Sequence, residues 1–99
     1  MKAKIKTIDV HGKEWFDKQN GNSYHSVRVV LNHGLKNQSV LVAPMQYGYG
    51  DSYMRTAGEL LSIPRGAALW RYCEANRIIL RYQKQDRCLK RDVIAHGTK

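Results

Sequence analysis

The sequence predicts one α+β domain over residues 1–99, with an antiparallel sheet of three to four strands, two helices on one face and the order β-β-β-α-α-β. Three observations lead to this prediction: segments in which apolar and polar residues alternate, an Asn-Gly pair between two of those segments, and a later segment whose apolar residues recur at helical spacing. With 99 residues, 42% of them hydrophobic, the chain has the size and the apolar content of one compact domain.

The first strand pattern covers residues 3–10, where lysines alternate with apolar residues. The alternation loses phase at Thr7-Ile8, and we expect a β-bulge there. His11-Gly12 is a turn signal, so a turn is expected between this strand and the next arm of the chain.

Asn20-Gly21 marks a hairpin, because both residues tolerate a positive φ. The arm before this turn holds Trp15, and the arm after it is a strand over 24–32 in which Val27, Val29 and Leu31 share one face. A third strand follows over 39–43, and Pro44 either ends it or places it at the edge of the sheet.

Two helices follow the predicted strands. Asp51 or Ser52 caps the first helix, and its apolar residues form one stripe. The second helix begins at Pro64, which suits a first helical turn, and extends to about residue 76. The stripe of the first helix consists of Tyr53, Ala57, Leu60 and Leu61.

The end of the chain is its most basic part. A last strand is expected over 78–83, and a basic, flexible tail is expected over about 86–99. The whole chain carries 17 lysines and arginines against 8 acidic residues, a net charge of +9. This charge favours a polyanionic partner (nucleic acid, a nucleoprotein or an acidic protein surface), although small domains also carry positive charge for solubility.

The cysteines and histidines argue against a disulfide scaffold and a metal site. Cys73 and Cys88 are too few for a bridged scaffold, and the four histidines form no pair at metal-ligand spacing. We therefore expect reduced thiols, a cytoplasmic location, and neither a metal nor a cofactor. No apolar run approaches the roughly 20 residues that span a bilayer, so no membrane partner is expected.

Two strings of the sequence and the helix after them are similar to a known family. Residues 15–24 read WFDKQNGNSY, residues 44–51 read PMQYGYGD, and the helix starts near Tyr53. Over about residues 14–62 the chain resembles a family of small hypothetical proteins encoded by tailed bacteriophages and prophages. The resemblance supplies no catalytic residues. It implies a protein of the host cytoplasm that binds nucleic acid or disables a host complex such as a CRISPR–Cas nucleoprotein.

Aromatic residues near turns are candidate binding residues. Tyr47 and Tyr49 lie in a glycine-containing loop that enters a helix, where backbone N–H groups bind anions and a tyrosine ring stacks on a base. The alternative is a tight strand-to-helix connection whose tyrosines pack on the domain. Trp15 and Phe16 are adjacent on a strand and face opposite sides, so they are either one core and one surface residue or both buried between layers.

The last third of the chain holds the best nucleic-acid-like patch. Its cationic side chains pair with phosphates and stack on bases, although they would equally serve as a solvated face with a basic tail. The predicted binding residues of the chain are Arg71, Arg77, Arg81, Arg87, Lys90 and Arg91, together with Trp15, Tyr47 and Tyr49.

No nucleophile stands beside a base in the sequence. Cys73 is expected to pack as a small hydrophobic residue, and Cys88 has no histidine placed to assist it. We therefore expect a non-enzymatic, phage-type binding protein that inhibits a host nucleoprotein complex by stoichiometric binding, as an anti-CRISPR-like or other anti-defence inhibitor. The alternative is a nucleic-acid-binding accessory protein that uses the basic residues on phosphates.

Overall fold

The computed structural model describes residues 5–63 and 68–98 and confirms the α+β fold. That part of the chain forms four strands and three helices. None of these helices is long and apolar enough to cross a membrane. In chain order the elements are β1 (Thr7–Asp17), β2 (Asn22–Leu31), β3 (Ser39–Tyr47), α1 (Ser52–Leu60), α2 (Leu69–Ala75), β4 (Ile79–Gln85) and α3 (Lys90–His96).

The strands form one sheet in the order β3-β2-β1-β4. β1 pairs antiparallel with β2, as the hairpin signal at Asn20-Gly21 predicts, and β2 pairs antiparallel with β3. β4 instead lies parallel to β1, so the sheet is mixed. Two parallel neighbours require a crossover connection, and α1 and α2 lie on the crossover that leads from β3 to β4.

One face of the sheet, here named the core face, packs against α1 and α2. Successive residues of a strand point to opposite faces, and Ile8 and Val10 of β1 point to this one, opposite Leu31 and Val29 of β2. Burial of apolar area is the main contribution to the stability of such a layer. The buried cluster consists of Ile8, Val10, Val27, Val29, Ala43, Tyr53, Ala57, Leu69 and Cys73.

The other face, here named the α3 face, packs against α3. His11 of β1 points to this face, and its ring meets the ring of His96 on α3. Val93 of α3 is fully buried, yet it does not belong to the cluster on the core face. The residues expected to form a flexible tail over 86–99 therefore include a short helix that packs on the sheet.

Two local predictions in β1 are wrong. His11-Gly12 is not a turn, because β1 continues through it to Asp17. A Cβ atom at Gly12 would lie 2.8 Å from Cδ2 of Tyr53, so the glycine allows α1 to approach the sheet rather than allowing the chain to turn. Thr7-Ile8 shows regular pairing, and the irregularity of the sheet lies between His25 and Val27 of β2 instead.

Pro44 lies within β3, which continues beyond it to Tyr47. Since β3 is an edge strand, the prediction that Pro44 marks the edge of the sheet is confirmed. Pro64, expected at the start of the second helix, lies outside the described residues, as does Lys4 of the 3–10 pattern. The second helix of the described chain begins at Leu69.

Candidate binding surface

Directed polar contacts hold α3 on the sheet. The guanidinium group of Arg28 on β2 donates one hydrogen bond to the carbonyl oxygen of His96 (2.8 Å) and another to that of Thr98 (2.9 Å). Nε2 of His96 donates to the carbonyl oxygen of His11 at 2.8 Å. The last carbonyls of a helix have no partner within the helix, so Arg28 both caps α3 and anchors it.

The end of α3 lies very close to β3. A Cβ atom at Gly97 would lie 2.8 Å from Cα of Pro44 and 2.9 Å from the carbonyl oxygen of Ala43. Any larger residue at position 97 would push α3 away from the strand. The glycine, Arg28 and His96 together place α3 in one position on the sheet.

Three aromatic side chains, here named the aromatic row, cross one end of the α3 face. Trp15 opposes Tyr24 in the β1–β2 pairing, and Tyr24 opposes Tyr47 in the β2–β3 pairing. The Trp15 and Tyr24 rings stack with centroids 5.7 Å apart, and the Tyr24 and Tyr47 rings meet edge to face at 6.0 Å. Trp15 and Tyr24 are half-buried, whereas Tyr47 on the edge strand is 62% exposed.

α3 brings a basic and apolar surface beside the aromatic row. Nζ of Lys90 lies 5.4 Å from the centroid of the Trp15 ring, a cation–π contact. Arg91 is exposed, and so are two apolar side chains of this segment, Leu89 at 53% and Ile94 at 45%. These four residues, Leu89, Lys90, Arg91 and Ile94, are here named the α3 surface.

A residue of the core face, His25, holds the loop after Tyr47 in place. Gly48 has a φ of +149°, and a Cβ atom there would lie 2.7 Å from Cε1 of His25, so only glycine fits. Nδ1 of His25 donates to the carbonyl oxygen of Gly48 (3.2 Å), and Nε2 accepts a hydrogen bond from the hydroxyl of Thr56 (2.8 Å). The buried imidazole thus links the loop to α1.

A half-buried ion pair braces the other end of this loop. Oε1 of Glu14 accepts hydrogen bonds from the backbone N–H of Gly50 (3.1 Å) and from Nζ of Lys84 (3.2 Å), and Lys84 also donates to the carbonyl oxygen of Gly50. Burial alone would lower the pKa of Lys84, but its hydrogen bonds to Asp86 and Glu14 outweigh burial and raise the pKa. The ammonium group therefore stays charged.

Burial shapes the titration of the histidines near the surface. It lowers the pKa of His25, of His96 and of the half-buried His11 below the ordinary value of 6.5. The charge of Lys13 lowers the pKa of His11 further. All three rings are therefore neutral at neutral pH, so they contribute hydrogen bonds rather than positive charge to this part of the molecule.

The predicted basic residues do not meet in one patch. Lys90 and Arg91 lie on α3, but Arg71 lies on α2, on the opposite side of the sheet, where its guanidinium carbon is 5.2 Å from the centroid of Trp70. Nε of Arg81 is 2.6 Å from Oδ1 of Asp9, so a neighbouring carboxylate neutralises that arginine.

Arg77 and Arg87 occupy exposed turn positions with positive φ angles of 55° and 57°. The backbone N–H of Cys88 donates to the carbonyl oxygen of Glu14 (3.0 Å), so the segment that holds Arg87, Lys90 and Arg91 runs beside the Trp15 end of the aromatic row. Arg71, on the opposite side of the sheet, and Arg81, paired with Asp9, do not join them. Tyr49 is 67% exposed in the braced loop, and Phe16 is 50% exposed on the face of β1 opposite Trp15. The prediction that Trp15 and Phe16 face opposite sides is confirmed.

Sequence reasoning missed Tyr24, Arg28 and His96. A signal for Tyr24 was present, because a turn at Asn20-Gly21 that sets Asp17 opposite Asn22 also sets Trp15 opposite Tyr24. Arg28 and His96 carry no such signal. They are 68 positions apart, and only the packing of α3 on β2 brings them together.

The two thiols, Cys73 and Cys88, lie in different parts of the fold. Cys73 is a free thiol in the core, and burial raises its pKa, so it is unreactive there. Sγ of Cys88, also free, donates to the carbonyl oxygen of Gln85 at 3.3 Å. Within residues 5–63 and 68–98, no three histidine, cysteine or acidic residues are grouped to hold a metal ion.

The chain matches no protein-family model, no curated protein and no solved structure.

Proposed function

We propose that the protein is a small non-enzymatic binding protein that inhibits a host nucleoprotein complex by stoichiometric binding, as an anti-CRISPR-like or other anti-defence inhibitor. The observation that carries this proposal is the α3 surface, where two exposed apolar side chains stand beside two cations on a helix anchored to the sheet. The resemblance of the sequence to small phage proteins supports a host target in the cytoplasm.

The α3 surface has the composition of a protein-binding surface. Leu89 and Ile94 are 53% and 45% exposed and lie five positions apart, so this short segment offers apolar area to a partner. Lys90 and Arg91 beside them outnumber the exposed Asp92 of the same helix and attract an acidic surface. The contacts of Arg28 hold the helix in place before binding. A helix that is already ordered loses little conformational entropy on docking, which favours affinity.

A second candidate function is a nucleic-acid-binding accessory protein whose cations contact phosphates. The net charge of +9 and the cations on both sides of the sheet favour it. Salt titration separates the two candidates. Binding to duplex phosphates weakens with salt at a logarithmic slope of about −0.9 per contact, whereas an interface with apolar anchors has a shallower slope.

Affinity capture from a bacterial host lysate, with and without nuclease, tests the first proposal. We expect a nucleoprotein complex to be captured in both cases, and the activity of that purified complex to fall linearly until the added protein reaches the concentration of complex. Capture that nuclease abolishes would instead support the second candidate, and an activity loss that never saturates would contradict stoichiometric inhibition.

A matched pair of variants tests the surface itself. Ile94→Glu places a carboxylate on the α3 surface and should abolish capture. Leu35→Glu places one on an apolar side chain of similar exposure, 43%, in the turn between β2 and β3, and should leave capture unchanged. Equal capture by both variants would show that the α3 surface is not the contact.

A further inference from the structure

We propose that the aromatic row is a binding site for unpaired nucleobases of a single-stranded nucleic acid, with Tyr47 as the principal stacking residue. The three rings lie on the end of the sheet, and of the α3 surface the site shares Lys90, so this inference goes beyond the α3 surface and does not depend on inhibition of a nucleoprotein. The juxtaposition that supports it is a continuous line of three rings on adjacent strands with a cation at one end.

The register of the sheet, rather than chance contact, forms the row. Trp15, Tyr24 and Tyr47 are direct cross-strand partners, so each ring stands one strand spacing from the next. Lys90 covers the Trp15 end, and Tyr47 lies at the open end on an edge strand. A strand of nucleic acid that reaches this edge meets the exposed ring of Tyr47 first, with the inner rings behind it.

Tyr47 contributes little to folding in its present position. It is 62% exposed, and an edge-to-face pair of this kind stabilises a sheet only slightly, although it places the ring in one orientation. The next residue holds the backbone of Tyr47 in place. The N–H of Gly48 donates a hydrogen bond to the carbonyl oxygen of Ser23 (3.0 Å), and the carbonyl oxygen of Gly48 accepts one from the His25 ring. The ring is therefore presented to solvent on a braced backbone.

The charges around the row suit a polyanion. Lys90 stands at its inner end, Arg91 is the next, exposed residue of α3, and Lys18 is exposed in the hairpin turn beyond Trp15. The one nearby carboxylate in this turn, Asp17, accepts hydrogen bonds from the backbone of Gln19 (3.0 Å) and the side chain of Asn20 (2.8 Å). The hydrogen bond from Asn20 is the main cause that lowers the pKa of Asp17, and the charge of Lys90 is a smaller one. The carboxylate is therefore satisfied mainly within the turn and offsets the charge of Lys90 only in part.

The accessibility of the base faces favours single-stranded over duplex nucleic acid as the ligand. In a duplex the faces of the bases are covered by their neighbours, so an exposed ring on a sheet has nothing to stack on. In a single strand every base offers a π-face, and stacking on aromatic side chains beside a basic groove is how sequence-independent binders hold it. The aromatic row with Lys90 presents the same two chemical elements.

Tryptophan fluorescence provides a direct test. The chain has two tryptophans, so the Trp70→Phe variant leaves Trp15 in the row as the one reporter. This variant is titrated with an oligothymidylate of about eight nucleotides, with a duplex of the same length, and with heparin as a polyanion without bases. We expect saturable quenching by the oligothymidylate and weaker binding of the duplex and of heparin.

Three substitutions in this background identify the stacking residue. Tyr47→Ala should weaken oligothymidylate binding roughly 5- to 150-fold, while Tyr47→Phe, which keeps the ring, should bind as well as the parent. Tyr82→Ala is the matched control, because Tyr82 is equally exposed, at 61%, on the other edge strand of the sheet. Circular dichroism and the thermal melt of each variant establish that it is folded.

Three results would overturn the inference: equal affinity for heparin and oligothymidylate, unchanged affinity of Tyr47→Ala, or an equal loss in Tyr82→Ala. The Ile94→Glu variant distinguishes this inference from the proposed function. If it loses nucleoprotein capture but keeps oligothymidylate binding, both assignments stand. Loss of oligonucleotide binding in Tyr47→Ala with nucleoprotein capture retained shows that the two surfaces act independently.

Discussion

The two faces of the sheet are held together in different ways. On the core face, α1 and α2 bury a continuous apolar cluster around Ile8, Val27 and Tyr53. On the α3 face, one apolar side chain of α3, Val93, is fully buried. The hydrogen bonds of Arg28 and His96 attach the helix to the strands. Apolar burial is non-directional and large, whereas these polar contacts are few and directional.

This difference explains why the candidate binding residues lie on the α3 face. Where α1 and α2 cover the core face, its buried side chains exclude water and are not available to a partner, and the exposed ring of Phe16 on that face lies outside the buried cluster. A face that holds a short helix by a few directed bonds leaves the rest of its surface exposed, and here that surface includes Tyr47, Lys90 and Ile94. Four measurements test whether the two faces differ in this way.

The largest effect is expected from the core face. Ile8→Ala removes a fully buried side chain and should lower the free energy of unfolding by about 2–5 kcal/mol, measured by urea denaturation. Ile79→Ala is the control, because Ile79 lies on neighbouring β4, is 61% exposed and points to the other face; its effect should stay within about 0.5 kcal/mol. Similar losses for both variants would contradict the assignment of the core to one face.

The next effect concerns the anchoring of α3. Arg28→Met removes the hydrogen bonds to the carbonyl oxygens of His96 and Thr98 and should destabilise α3 locally by about 1.5–3 kcal/mol. Hydrogen exchange of the α3 amides should then be roughly 10- to 150-fold faster, while core-face amides keep their protection. Arg55→Met, at an exposed arginine of α1, should change neither. Uniformly faster exchange would mean that α3 does not open separately.

The two faces also differ in their ion pairs. Glu14 and Lys84 on the core face have side chains 16% and 17% exposed, whereas Asp9 and Arg81 on the α3 face are 30% and 57% exposed. Double-mutant cycles replace each acid by its amide (Gln or Asn) and each base by Met. The coupling energy should be about 1–3 kcal/mol for Glu14 and Lys84, and below about 1 kcal/mol for Asp9 and Arg81. Added salt should reduce the coupling energy of the exposed pair, Asp9 and Arg81, and leave that of the half-buried pair unchanged. A larger coupling for the exposed pair would contradict this.

The smallest effect near neutral pH is a pH dependence, because His25, His11 and His96 are already neutral there. Burial lowers the pKa of each below 6.5, so the unfolded chain binds more protons than the native state in acid. Their contribution to stability is fully present above about pH 6.5 and is lost as the pH falls through the lowered native pKa values. Urea denaturation between about pH 8 and pH 5 measures this loss, which should be smaller in His25→Gln. A flat profile would contradict the burial of these rings.

Individual residues show how far the sequence could be interpreted. Asn20-Gly21 predicted the β1–β2 hairpin correctly, because turn formation depends on neighbouring residues, here 18–21 with a positive φ of 69° at Gly21. Gly12 was misinterpreted as a turn, because its role is to make room for Tyr53, a residue 41 positions away on α1. Lys90 to His96 were misinterpreted as a tail, because so short a helix has little periodicity and is stable only where it packs.

By itself, the sequence determined the α+β class, the antiparallel hairpins, the first amphipathic helix and the opposite directions of Trp15 and Phe16. Each of these follows from local turn chemistry or from the period of side chains along one element. The tertiary structure alone decided that β4 runs parallel to β1, that α3 covers the second face and that Lys90 meets Trp15. These depend on contacts between distant segments, which come together only when burial and hydrogen bonding are satisfied over the whole chain at once.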